Sequence, residues 1–216
     1  MTERQHILYW GGASGFLAAL LLTAMMVLGL AAGPDSTELL QPTDADRVSD
    51  LVSEYGTVVK ANVIIDDLFA LAYTGAFFGL AGLVWTRSRW LAGTAMVFAL
   101  ATACLDFAEN ARLMTMALGI GGDTNLTDDA LRTLNLVTQL KYSASHMAVF
   151  LFGIGLSRRG VPSWSLSILL FAFPVVSTIA FAYEPAGLAR ILLMWLLLVL
   201  GGWLAWRESK TMNGGH

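Results

Sequence analysis

The chain has 216 residues, of which 56% are apolar and only 13% charged, with a net charge of -3 and a mean hydropathy of +0.63. A soluble domain of this size carries about 25% charged residues, so the composition excludes an ordinary globular protein. The small negative charge and the lack of a basic run argue against a nucleic-acid partner. The single cysteine, Cys104, excludes a disulfide framework and a cysteine metal site, and its apolar surroundings predict a small buried hydrophobe.

Six apolar runs follow in chain order: 7–32, 58–85, 90–118, 133–156, 163–183 and 186–206. Each is long enough, at 1.5 Å per residue, to cross a hydrocarbon core of about 30 Å. The fold class is therefore all-α, a single polytopic domain over 1–216 built as a six-transmembrane-helix bundle. The first run is too long for a signal-peptide core of about 7–15 residues, which predicts a retained helix. Within it, Gly11, Gly12, Ala13, Ser14 and Gly15 form a small-residue face for close helix approach, and Gly75, Gly79 and Gly82 do the same on the second run. Before the second run, Val48, Leu51, Val52, Tyr55 and Val59 recur at helical spacing opposite Asp46, Asp50 and Glu54. That pattern predicts a short outer amphipathic helix, on the membrane surface or running directly into span two. Between the third and fourth runs, Gly121-Gly122 ends one helix and Thr127 caps the next, with Asp128 and Asp129 in its first turn. Pro174 predicts a kink in the fifth.

Loop charge sets the orientation. Arg4, Arg87 and Arg89, Arg158 and Arg159, and Arg207 and Lys210 mark one set of junctions. Asp35, Glu38, Asp44, Asp123, Asp128 and Asp129 fall in the alternate set. Basic short loops face the cytoplasm, which puts both termini inside a bacterial-type inner membrane. Trp10, Trp85, Trp90, Trp164, Trp203 and Trp206 gather at that basic end as an interfacial belt.

The chemistry-bearing residues share one depth. Measured from the basic end of each run, Asp67, Asp106, Lys141 and Arg190 lie about 24–29 Å in, at the outer boundary of the core. Ser177 and Thr178 reach the same layer, and only span one brings no charge to it. Asn62 and Asp66 are four apart, with Tyr73 continuing their face. Asp66 and Asp67 diverge by roughly 100°, so they cannot both face inward. Asp106, Glu109 and Asn110 make one patch on span three. Thr138, Lys141 and Ser145 make another on span four, beside Tyr142 and His146. A lone histidine at that depth reads more readily as a hydrogen-bonded packing residue than as a ligand. Lys141 is expected to pair with Asp106 or Glu109, since spans three and four are antiparallel neighbours. Counting Arg112 as inward, four acids face three cations. The surplus calls for a proton, a bound cation or a charge on His146.

No Walker, G-x-S-x-G or dinucleotide motif is present, and His6, His146 and His216 cannot converge, so no haem or zinc site and no cofactor is implied. Three readings of the layer stand. An outward-facing polar cavity binds or moves a small polar or lipid-derived ligand or a cation. Alternatively, an intramembrane enzyme uses the carboxylates as acid and base, or to hold Mg²⁺, on a lipid-like substrate. Or the layer is an ion-pair network in a non-catalytic subunit. Membrane lipid is the expected surrounding partner, and a homo-oligomer is compatible with all three.

Overall fold

The structure, a computed structural model, describes residues 2–32, 45–119, 128–156, 161–183 and 186–212. All regular structure among them is helical: α1 (Glu3–Ala32), α2 (Ala45–Trp85), α3 (Arg89–Gly119), α4 (Asp128–Leu156), α5 (Val161–Ala182) and α6 (Ala186–Thr211). The acidic residues 35, 38, 44 and 123, the glycines at 121 and 122, Thr127, Arg158, Arg159 and His216 lie outside the described residues. So do the side chains of 45–53, on which the amphipathic reading rests, although their backbone is helical. That backbone continues into span two through one non-helical residue, Tyr55 (φ -110°, ψ 16°).

Local chemistry explains several boundaries. Thr2 and Gln5 form a capping box: Gln5 N donates to Thr2 Oγ1, and Thr2 N donates to Gln5 Oε1, both at 3.3 Å. Ser88 caps α3, with Leu91 N donating to its hydroxyl at 3.2 Å. Arg4 Nε donates to Gly82 O, and Arg87 Nη1 to Gly155 O, each satisfying a carbonyl in the last turn of another helix. Pro174 sits inside α5, which stays one continuous helix, and Thr178 Oγ1 donates back to the proline carbonyl at 2.8 Å.

The helices run up and down, each packed on its chain neighbours. α6 closes on α1, and α2 also reaches α4 and α6. The α1–α2–α6 seam is built from glycine. A Cβ on Gly11 would collide with the Gly79 backbone, and one on Gly12 would come within 2.8 Å of Gly202 O. The core runs from this seam along Leu80, Val84, Phe152, Leu166 and Leu170.

The surface is that of a membrane protein. Leu20, Leu71, Val97 and Val175 point outward and are 59–66% exposed, which a water-soluble bundle would bury. All six tryptophans named above are exposed, at the end where α1 begins and α6 stops. Among the described residues, five helices are long and apolar enough to cross a membrane. α4 falls short of six because its sequence is interrupted by Asn135, Gln139, Lys141, Ser143, Ser145 and His146. Cys104 is exposed, not buried, because it lies on the side of α3 away from Asp106 and Ala103.

Candidate functional site

Asp106, Glu109 and Asn110 occupy successive turns of α3 and are all buried, at 3–9% exposure. Burying carboxylates is tolerable only when their oxygens are satisfied, and here they are. Lys141 Nζ on α4 donates to Asp106 Oδ1 at 2.9 Å and also to Glu109 Oε2. The second oxygen of Asp106 accepts from Tyr73 OH on α2 at 2.8 Å. The second oxygen of Glu109 accepts from Thr138 Oγ1 at 2.5 Å. The expected ion pair is present, and it is two-sided: one ammonium between two carboxylates.

Asn110 resolves the question posed by the adjacent aspartates. Its Nδ2 donates to Asp66 Oδ2 and to Asp67 Oδ1, both at 2.9 Å. One amide thus bridges two residues that diverge on α2. Asp66 faces the bundle interior, while Asp67 stays at its margin. Arg112 is exposed and contributes no inward charge, so the count becomes four acids against two cations.

Arg190 of α6 reaches the same layer by another route. Its guanidinium lies over the ring of Tyr142 at 5.3 Å and that of Phe181 at 5.7 Å. Lys141 Nζ approaches Tyr142 at 5.5 Å, so one aromatic ring links the two cations. Arg190 Nη1 is buried and has no hydrogen-bond partner among the described residues. The same is true of Asn62 Oδ1, Ser177 Oγ and His146 Nε2. His146 therefore departs from the expected hydrogen-bonded packing residue. Its ring meets Phe173 and Tyr142 instead, because the facing stretch of α5 offers aromatic edges.

A cavity of about 300 Å³ adjoins these groups. Asn62, Asp66, Tyr73, Asp106, Glu109, Asn110, Lys141, Tyr142, Ser145 and Arg190 line it, whereas Asp67 and His146 do not. The cavity extends far beyond the polar layer. Phe77 and Leu80 on α2, Leu170 and Phe173 on α5, and Met194, Leu197 and Gly201 on α6 continue its wall toward the basic end. Along α2 the lining runs from Asn62 to Leu80, about 27 Å of helix. Sequence reasoning reached the polar layer but missed this apolar shaft, whose lining residues look like any other membrane-core residue. Phe181 was missed for the same reason, while the pair Gly201-Gly202 carried a readable small-residue signal.

Comparison with family models, with curated proteins and with solved structures finds no match for this chain. Its chemistry therefore rests on the geometry alone.

Proposed function

We propose that this chain is a six-span protein of a bacterial-type inner membrane, with both termini cytoplasmic, that binds or moves a lipid-derived amphiphile. α4 is counted as the sixth span because Asn135, Lys141 and Ser145, three of the polar residues that interrupt it, line the cavity, where a buried charge is sustained by partners. The observation that carries the reading is the shape of the cavity: charged in one layer, apolar over the remaining length. A small polar solute would leave the shaft unfilled, whereas an amphiphile matches both parts, head in the layer and chain below it. With the acidic loops outside, the head sits at the outer leaflet.

Two of the cavity's carboxylates weigh against the enzyme alternative. Both oxygens of Asp106 and both of Glu109 already accept hydrogen bonds. Acting as a general base or a Mg²⁺ ligand would set either residue in competition with Lys141, the cation both already share. Among the described residues, no three His, Cys, Asp or Glu side chains converge in a metal-ligating arrangement.

The test compares chain lengths. In amphipol-exchanged protein, dodecyl compounds should raise the melting temperature saturably, and butyl compounds with the same heads should not. Met194→Trp, which fills the shaft, should abolish the effect. Equal stabilisation by butyl compounds would convert the site to one for small polar solutes, and no stabilisation by either would leave a scaffold. Reporters fused after His216 and at Thr43 should read cytoplasm and exterior; the reverse would turn the polar layer to the inner leaflet.

A further inference from the structure

The cations of the polar layer are not equivalent. Lys141 is paired on two sides, with Asp106 and Glu109. Arg190 lines the same cavity with no carboxylate within ion-pair distance among the described residues, and its buried Nη1 lacks an acceptor. Its guanidinium lies against the faces of Tyr142 and Phe181. Aromatic faces hold a guanidinium in place but accept none of its in-plane N–H bonds, so the fork remains free to grip an oxyanion. Leaving such a donor unmet in a low-dielectric setting is costly, and the cost is removed when an acceptor arrives.

Two further features agree. Arg190 stands near the start of α6, which begins at Ala186 with no acidic side chain in its first turn. The acids, meanwhile, sit on the other side of the layer. Asp66 and Asp67 are held by Asn110 on the α2–α3 side, and Asp106 and Glu109 are turned to Lys141. Among the described residues, the α4–α5–α6 side presents aromatic rings and one open cation.

We infer that Arg190 is the head-group anchor of the cavity, and that the amphiphile it takes carries an acidic oxyanion, a phosphate or a carboxylate. This rests on the amphiphile reading above and specifies its head. The oxyanion accepts from the guanidinium fork, with Tyr142 and Phe181 holding the plane of the fork, and the alkyl chain descends past Met194 and Leu197. Lys141 stays with its two acids and takes no part in holding the head.

The experiment holds the chain constant and varies the head. Dodecyl phosphate, laurate, dodecanol and dodecyltrimethylammonium are titrated against amphipol-exchanged protein at fixed salt, with melting temperature as the readout. One or both oxyanions should bind roughly tenfold or more tighter than dodecanol, the increment expected of a charge-assisted bond. Preference for the phosphate would point to a phospholipid-type source and preference for laurate to a fatty acid. Arg190→Gln should reduce both to the level of dodecanol and leave dodecanol unchanged, while Arg190→Lys should restore part of the difference. Dodecyltrimethylammonium binding tightest would overturn the inference and assign the head to Asp66. Equal binding of all four heads would overturn it too, leaving the cavity reading intact. If none of the four stabilises the protein, the amphiphile reading itself fails. Should Arg190→Gln not accumulate, the ranking of heads on the wild-type chain still decides the question.

Discussion

The bundle is held together differently at its two ends. Near the basic end, α1, α2 and α6 meet through Gly11, Gly79, Gly12 and Gly202, with backbone almost on backbone, and the polar bonds of Arg4 and Gln5 lie at the margin of that contact. At the other end α2, α3 and α4 meet through Tyr73, Asp106, Glu109, Lys141 and Thr138, long side chains that hold helices apart while linking them. The cavity lies alongside the second kind of contact and reaches the first only at Gly201 and Gly202. In a membrane, dispersion between small residues closes space, and directional bonds between large ones keep it open.

The sharpest way to break this contrast is at the glycine seam. Gly11→Leu or Gly79→Leu drives a side chain into facing backbone that cannot yield, and should prevent accumulation of folded protein, read as loss of the monodisperse peak after extraction. Gly93→Ala, where a Cβ meets nothing within 4 Å, should leave the fold intact or stabilise it by about 0.5–1 kcal/mol through helix propensity.

At the ionic end, Lys141→Met strands two carboxylates and should cost about 3–5 kcal/mol in denaturant unfolding. Adding Asp106→Asn and Glu109→Gln to that variant should recover most of the loss, whereas a single Lys141→Met without effect would show the pairing to be dispensable. A smaller change is expected from Tyr73→Phe. It removes one donor to Asp106, which keeps Lys141, so a loss of about 1 kcal/mol should appear.

Which parts were readable from the sequence follows the same division. The glycine faces of α1 and α2 announce themselves because small residues at i, i+4 spacing have few other uses in a span. The pairing of Lys141 follows from antiparallel neighbours and depth arithmetic. What stayed hidden depended on rotation and on which neighbour arrived. Arg112 and Cys104 turn out of the bundle, and nothing in their local pattern fixes that. Serine and threonine also mislead: Thr74, Thr102 and Thr178 donate to the carbonyl four residues back, so their hydroxyls are spent on their own helix. The apolar shaft was illegible because a lining leucine and a lipid-facing one are the same residue, told apart only by the helices around them.

One feature of α2 bears on how the molecule sits in lipid. A 41-residue helix is about 60 Å long, roughly twice the thickness of a hydrocarbon core. A rigid rod of that length would impose one tilt on everything attached to it. The break at Tyr55 removes the constraint: the part from Gly56 to Trp85 takes whatever inclination the local bilayer thickness demands, and the ten residues before it need not follow. A bend at Tyr55 would meet a change of bilayer thickness outside the charged layer and leave the bond between Asn110 and Asp66 in place.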